Sequence, residues 1–145
     1  MNTAISAFSD RFYTSRHRLL RYLLKLGQAI DSDTPDLAEA LTTRFCDALV
    51  DYLSTGHFQV LERFRPTLDQ VAAFEATTRQ ALSFSDQFGN GPLTDIKALR
   101  SALESLVFVI DSRMDVEDEV IQRANAPSFS TRQPTTFFRL ATARA

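Results

Sequence analysis

Apolar residues recur at helical spacing along most of the chain. From residue 4 to residue 30, Phe8, Phe12, Leu19, Leu23, Leu26 and Ile30 fall on one stripe, which Leu20 and Leu24 widen. The stripe is interrupted near Ser15 and Arg16. In a second helix Leu41, Phe45, Leu49 and Tyr52 form the stripe, Cys46, Val50 and Leu53 flank it, and Asp47 and Asp51 repeat on the outward face. Gly56 is expected to weaken or kink this helix, because glycine costs roughly 1 kcal/mol in a helix interior. Phe58, Leu61 and Phe64 then resume the apolar face. A third helix over 67–88 turns Val71, Phe74, Thr78, Leu82 and Phe88 inward. The last and longest, over 92–124, carries Ile96, Leu99, Leu103, Leu106 and Ile110 on a continuous core line. That line runs on into Arg113 and Glu117 before returning to Val120 and Ile121. The pattern predicts an all-α, up-and-down bundle of four main helices with a break near Gly56.

Local signals set the boundaries. Thr34, Pro35 and Asp36 supply an N-cap, a first-position proline and a first-turn acid for the second helix. Arg65-Pro66 breaks the chain before the third helix, and Gly89-Asn90-Gly91 ends that helix ahead of Pro92. Residues 126–145 have no helical period, are punctuated by Pro127 and Pro134, and contain three arginines and no acid. They are expected to form a flexible or loosely docked tail, with Phe137, Phe138 and Leu140 able to dock, beyond a bundle domain at 1–125.

Composition narrows the function classes. The 145 residues suit one domain, and a net charge of -2 provides no global field for nucleic acid or membrane. Cys46 is the single cysteine, which fits a reducing, cytoplasmic setting. No apolar run approaches the roughly 20 residues of a membrane span. The charges are nevertheless segregated. Residues 1–30 carry five Lys/Arg against one Asp, and residues 111–119 carry five acids against one arginine. Each is a solvated face or, for the first, a patch for an acidic partner.

Catalytic and metal signatures are weak. Two histidines, His17 and His57, are too few for a bundle-core di-iron set, so no metal or cofactor is expected. Cys46 sits on an apolar face as an inert thiol. There is no glycine-rich phosphate loop, nucleophile elbow or helix-turn-helix signature. His57, Glu62, Arg113 and Glu117 are candidates for an interior polar network, although His57 and Glu62, five residues apart, do not share a face of an α-helix. Arg16 interrupts an apolar stripe and must be paired or face a partner.

Three separated segments resemble one family. VDYLSTGHFQVLERF (Val50–Phe64), DRFYTSRHRLL (Asp10–Leu20) and IDSRMDVEDEVI (Ile110–Ile121) are similar to motifs of the Rsd/AlgQ family, bacterial anti-sigma regulators. FEATTRQALSFSDQFGNG (Phe74–Gly91) resembles a further family helix. Phe12 stands where the family usually has tryptophan, and the resemblance stops near residue 124. It implies a non-enzymatic protein that binds the C-terminal promoter-recognition domain of the primary sigma factor. Such binding blocks that domain's contacts with core polymerase and the −35 element. Asp51, Ser54 and Phe58, with Asp47 flanking and Arg16 and Leu20 from the first helix, are the implied contacts. The resemblance also implies further regulatory protein partners, without direct binding of nucleic acid or membrane. The alternatives are a helical ligand-binding or enzyme domain using the interior polar site, and a dimerising structural module.

Overall fold

A computed structural model describes residues 3–125, with side-chain environments from Asp10 onward. The expected core role of Phe8 and the expected tail at 126–145 lie outside these described residues. Four α-helices follow one another: α1 (Thr3–Asp31), α2 (Pro35–Gly56), α3 (Leu68–Phe88) and α4 (Ile96–Asn125). A single π-helical turn, His57–Leu61, extends α2. Among the described residues there is no strand. Short connections make α1 pack on α2, α2 on α3 and α3 on α4, with α4 closing against α1.

Local chemistry explains the helix starts. Pro35 opens α2, but Thr34 makes no side-chain cap; its hydroxyl meets Ser32 Oγ at 2.9 Å. At α3, Thr67 Oγ1 accepts from Gln70 N (3.1 Å) and Gln70 Oε1 accepts from Thr67 N (2.8 Å), a reciprocal capping box. The last helix begins at Ile96 rather than Pro92. Asp95 Oδ1 accepts from the backbone of Lys97 and Ala98, each at 3.1 Å, and so starts the helix four residues later than proline alone suggests. Gly91 turns the preceding loop at φ +93°, and Leu93 N donates to Glu39 Oε1 on α2 (2.7 Å).

The core is divided. A larger apolar cluster joins Leu19, Leu26, Phe45, Leu49, Leu99, Leu103, Leu106 and Ile110. A smaller one joins Phe12, Val60, Phe74, Val120 and Ile121. The stripe expected on α4 holds from Leu99 to Ile121, with Arg113 and Glu117 buried in it. Three expectations fail. Leu20 and Leu24 do not widen the buried stripe of α1, and both are exposed. Ala81 and Phe84, not Leu82, fill the inner face of α3. Phe58 does not resume the core line; Val60 takes that place.

Candidate functional site

Between the two apolar clusters lies a polar layer to which every helix contributes at the same level. It falls between Phe12 and Leu19 on α1, Leu49 and Val60 on the α2 arm, Phe74 and Ala81 on α3, and Ile110 and Val120 on α4. Glu117, fully buried, is its hub. Glu117 Oε1 accepts from Arg16 Nη2 (2.9 Å) and from the Tyr52 hydroxyl, and Oε2 accepts from Arg113 Nε (3.1 Å). Arg113 reaches across the bundle. Its Nη1 donates to Thr78 Oγ1 (2.6 Å) and to the Phe74 carbonyl (3.4 Å), and its Nη2 donates to the Leu53 carbonyl (3.4 Å). The guanidinium also stacks 4.3 Å from the Phe74 ring centroid. Arg16 Nη2 makes a second contact to Asp118 Oδ1 at 3.1 Å. Two arginines and the buried Glu117, with the half-exposed Asp118 at the rim, therefore balance in a layer where an unpaired charge is expensive.

The titration behaviour follows from this geometry. Burial works against the Arg16 charge, but the hydrogen bonds and charges of Glu117 and Asp118 win and raise its pKa. Burial, then the Glu117 carboxylate, pushes the Tyr52 phenol far above its ordinary value, so it stays a donor.

Gly56 lies against this hub. Its backbone is ordinary right-handed helix, so its conformational freedom is not what the position uses. A Cβ there would sit 2.9 Å from Glu117 Oε2 and 3.1 Å from Arg113 Nη2. The missing side chain lets α2 approach the ion pair. Immediately after it the helix widens, and Glu62 N donates to the His57 carbonyl at 3.1 Å in an i→i+5 bond. The expected break near Gly56 is this π-helical turn.

The π-turn corrects the placement of His57 and Glu62. Neither joins the interior network: their side chains are 50% and 55% exposed, with His57 Nε2 3.3 Å from Glu62 Oε2. Five residues apart do not align on an α-helix, but they do on a turn with i→i+5 bonding, and here that turn directs both outward. Arg113 and Glu117 are in the network as expected, and Tyr52, Thr78 and Arg16 complete it. Spacing alone puts Tyr52 on the apolar stripe of α2. The available signal was its hydroxyl, which needs a partner once buried.

Asp47, Asp51, Ser54 and Phe58 share the exposed face of α2 and the π-turn. Asp51 Oδ2 stands 3.9 Å from Arg18 Nη1, and Phe58 is 58% exposed, its ring edge-on to His57. The other two implied contacts are elsewhere. Arg16 is only 14% exposed and is committed to Glu117 and Asp118. Leu20 is about 200° around α1 from Arg18, by the 3.6-residue turn. It lies one turn before Leu24, which lines the groove between α1 and α4. Among the described residues, no group of three or more His, Cys, Asp or Glu is placed to hold a metal, and no helix is long and apolar enough to cross a membrane.

These features define an all-α four-helix bundle stitched by a buried ionic layer, with an acidic and aromatic face on its second helix. The chain belongs to the Rsd/AlgQ family, described as regulator of RNA polymerase sigma(70) subunit, which it matches over residues 2–125. It is 29% identical to the Regulator of sigma D of Yersinia enterocolitica (serotype O:8 / biotype 1B) across 68% of this chain and 66% of that protein. It is 31% identical to the Regulator of sigma D of Enterobacter sp. (strain 638), over 61% of each. The chain thus spans just under two thirds of the length of the curated relatives it matches. No solved structure gives a significant match.

Proposed function

We propose that this protein is a non-catalytic, cytoplasmic anti-sigma regulator that binds the C-terminal promoter-recognition domain of the primary sigma factor and limits its use by RNA polymerase. Membership of the sigma(70)-regulator family carries this reading. The face of α2 supports it physically. A domain that reads DNA is basic, and Asp47 and Asp51 offer a complementary ridge, with Ser54 as a polar contact and Phe58 as an exposed aromatic anchor. Arg16 acts in this scheme through Glu117 as a positioning residue, and Leu20 lies on the other flank of α1.

An interior ligand site loses its basis. His57 and Glu62 lie outside, and the buried Arg113 and Glu117 are hydrogen-bonded to protein groups. Calorimetric titration of the purified chain with the isolated sigma C-terminal domain tests the proposal. Saturable binding, weakened at least tenfold by Asp51→Ala, is the expected result. Absence of binding by the wild type overturns the function; unchanged binding by Asp51→Ala overturns only the assignment of the face.

A further inference from the structure

One surface is left unused by the α2 ridge. Tyr22 on α1 is ringed by cations: Arg18 Cζ at 5.7 Å, Arg21 Cζ at 5.6 Å and Lys25 Nζ at 5.7 Å from its ring centroid. Arg44, from α2, sits beside its hydroxyl. The Arg44 guanidinium beside the hydroxyl, with the charges of Arg21 and Arg18 adding to it, holds the phenol below its ordinary pKa against the opposing effect of burial.

These four cations differ from the three arginines held in close ion pairs elsewhere in the bundle. Arg16, Arg100 and Arg113 each have a carboxylate at hydrogen-bonding distance. Of the four around Tyr22, only Arg18 has an acid within 4.0 Å, and that is Asp51 at 3.9 Å. A chain of net charge -2 therefore concentrates four positive charges around one ring and leaves them nearly uncompensated. Such a face raises the encounter rate with an opposite surface and repels a like one.

We propose that this face, Arg18, Arg21 and Lys25 of α1 with Arg44 of α2, docks an acidic segment of a protein partner, alongside the α2 ridge that it meets at the Arg18–Asp51 pair. Shape favours an extended acidic segment over a compact phosphate. Arg18 to Lys25 spans seven residues, about 10 Å along the helix axis. The mid-helix amides are already bonded, so no backbone N–H groups converge into an anion cradle. What remains is a strip of flexible cations on a flat aromatic base, matched by several spaced carboxylates. The inference does not depend on the identity of the partner at the α2 ridge.

Tyr22 reports on its own site. The full chain is titrated with an unstructured glutamate-rich peptide of about sixteen residues, and phenol ionisation is followed by ultraviolet absorbance. A neutral peptide of equal length and inorganic triphosphate form the other arms. The proposal expects saturable binding of the acidic peptide that weakens at least tenfold between low and physiological salt. It also expects a rise in the lowest phenol midpoint, absent in Tyr22→Phe, as the carboxylates neutralise the cations. The combined variant Arg21→Gln/Lys25→Gln/Arg44→Gln, with all three side chains exposed, should keep the wild-type helical spectrum and lose at least tenfold in peptide affinity. No peptide binding, or equal binding by the triple variant, overturns the proposal. Tight binding of triphosphate with none of the peptide overturns it in favour of a phosphate site.

Discussion

Replacing Glu117 with glutamine changes almost no volume, so packing is held constant while the charge of the hub is removed. The carboxylate takes three hydrogen bonds, from Arg16, Tyr52 and Arg113. A glutamine keeps one acceptor oxygen. If that oxygen faces Arg16 and Tyr52, its NH2 confronts Arg113 Nε, donor against donor, and Arg113 is left buried without a counter-charge. If the amide is flipped, Arg16 and Tyr52 lose their acceptor. Removing one partner of a buried ion pair costs about 3–5 kcal/mol, against a total stability of about 5–15 kcal/mol for a domain. At about 2–4 °C per kcal/mol for a chain of this size, the thermal midpoint should fall by about 6–20 °C. Thermal melts followed by circular dichroism measure that midpoint, and urea denaturation measures the free-energy loss and the slope. The companion variant Arg113→Leu/Glu117→Leu removes donor and acceptor together and should cost less than Glu117→Leu alone, because it leaves fewer charges stranded. A Glu117→Gln protein within 0.5 kcal/mol of wild type, at unchanged slope, would refute the assignment of Glu117 as a hub.

Three further outcomes follow from single sites. Gly56→Ala should destabilise by about 1–3 kcal/mol, since its Cβ meets two immobile buried groups, whereas Gly27→Ala, with nothing within 4 Å, should be neutral or gain up to about 1 kcal/mol; paired urea melts read the opposite signs. Burial, aided by Asp47 and partly opposed by a hydrogen bond with Ser85, pushes the Cys46 thiol from 9.0 up to about 11. Its folded value lies above its unfolded one, so its contribution to stability is intact below about pH 9 and is lost as pH climbs through about 11; Cys46→Ala should flatten that part of the stability profile. Phe58→Ala should leave stability within about 0.5 kcal/mol, yet weaken sigma-domain binding at least tenfold in calorimetry.

The four helices were legible because each buries one stripe, and the stripe of α4 could be followed residue by residue into its charged pair. Two kinds of information were missing from the pattern. One is the partner of a polar group. Arg16 breaks its stripe, so its need for a counter-charge was evident, but Glu117 lies 101 residues away and only the fold brings them to 2.9 Å. The other is the local hydrogen-bond period. Helical spacing applied through Gly56 places Phe58 on the core line and separates His57 from Glu62. A single i→i+5 turn reverses both results, putting Val60 inside and the His57–Glu62 pair together at the surface. Exposed Leu20 and Leu24 are a related failure, since a wide apolar stripe is buried only as far as the neighbouring helix reaches.

The polar layer also explains why the π-turn sits where it does. Apolar stripes alone tolerate sliding of one helix past another, because leucine contacts are interchangeable in kind. Hydrogen bonds from Arg113 to Thr78, Leu53 and Glu117, and from Arg16 and Tyr52 to Glu117, are satisfied in one register only. That register brings Gly56 against the Glu117 carboxylate, where no side chain fits. The Leu53 carbonyl that receives Arg113 also accepts the His57 N–H, so the last turn of α2 is tied to α4 at the point where it widens. The orientation of Phe58, two residues beyond Gly56, is thus set by a contact in the middle of the bundle. By this reasoning Gly56→Ala should lower partner affinity by an effect that disappears in a Phe58→Ala background and persists in an Asp47→Ala background. Equal losses in both backgrounds would mean that the hub supports stability alone and does not aim the α2 face.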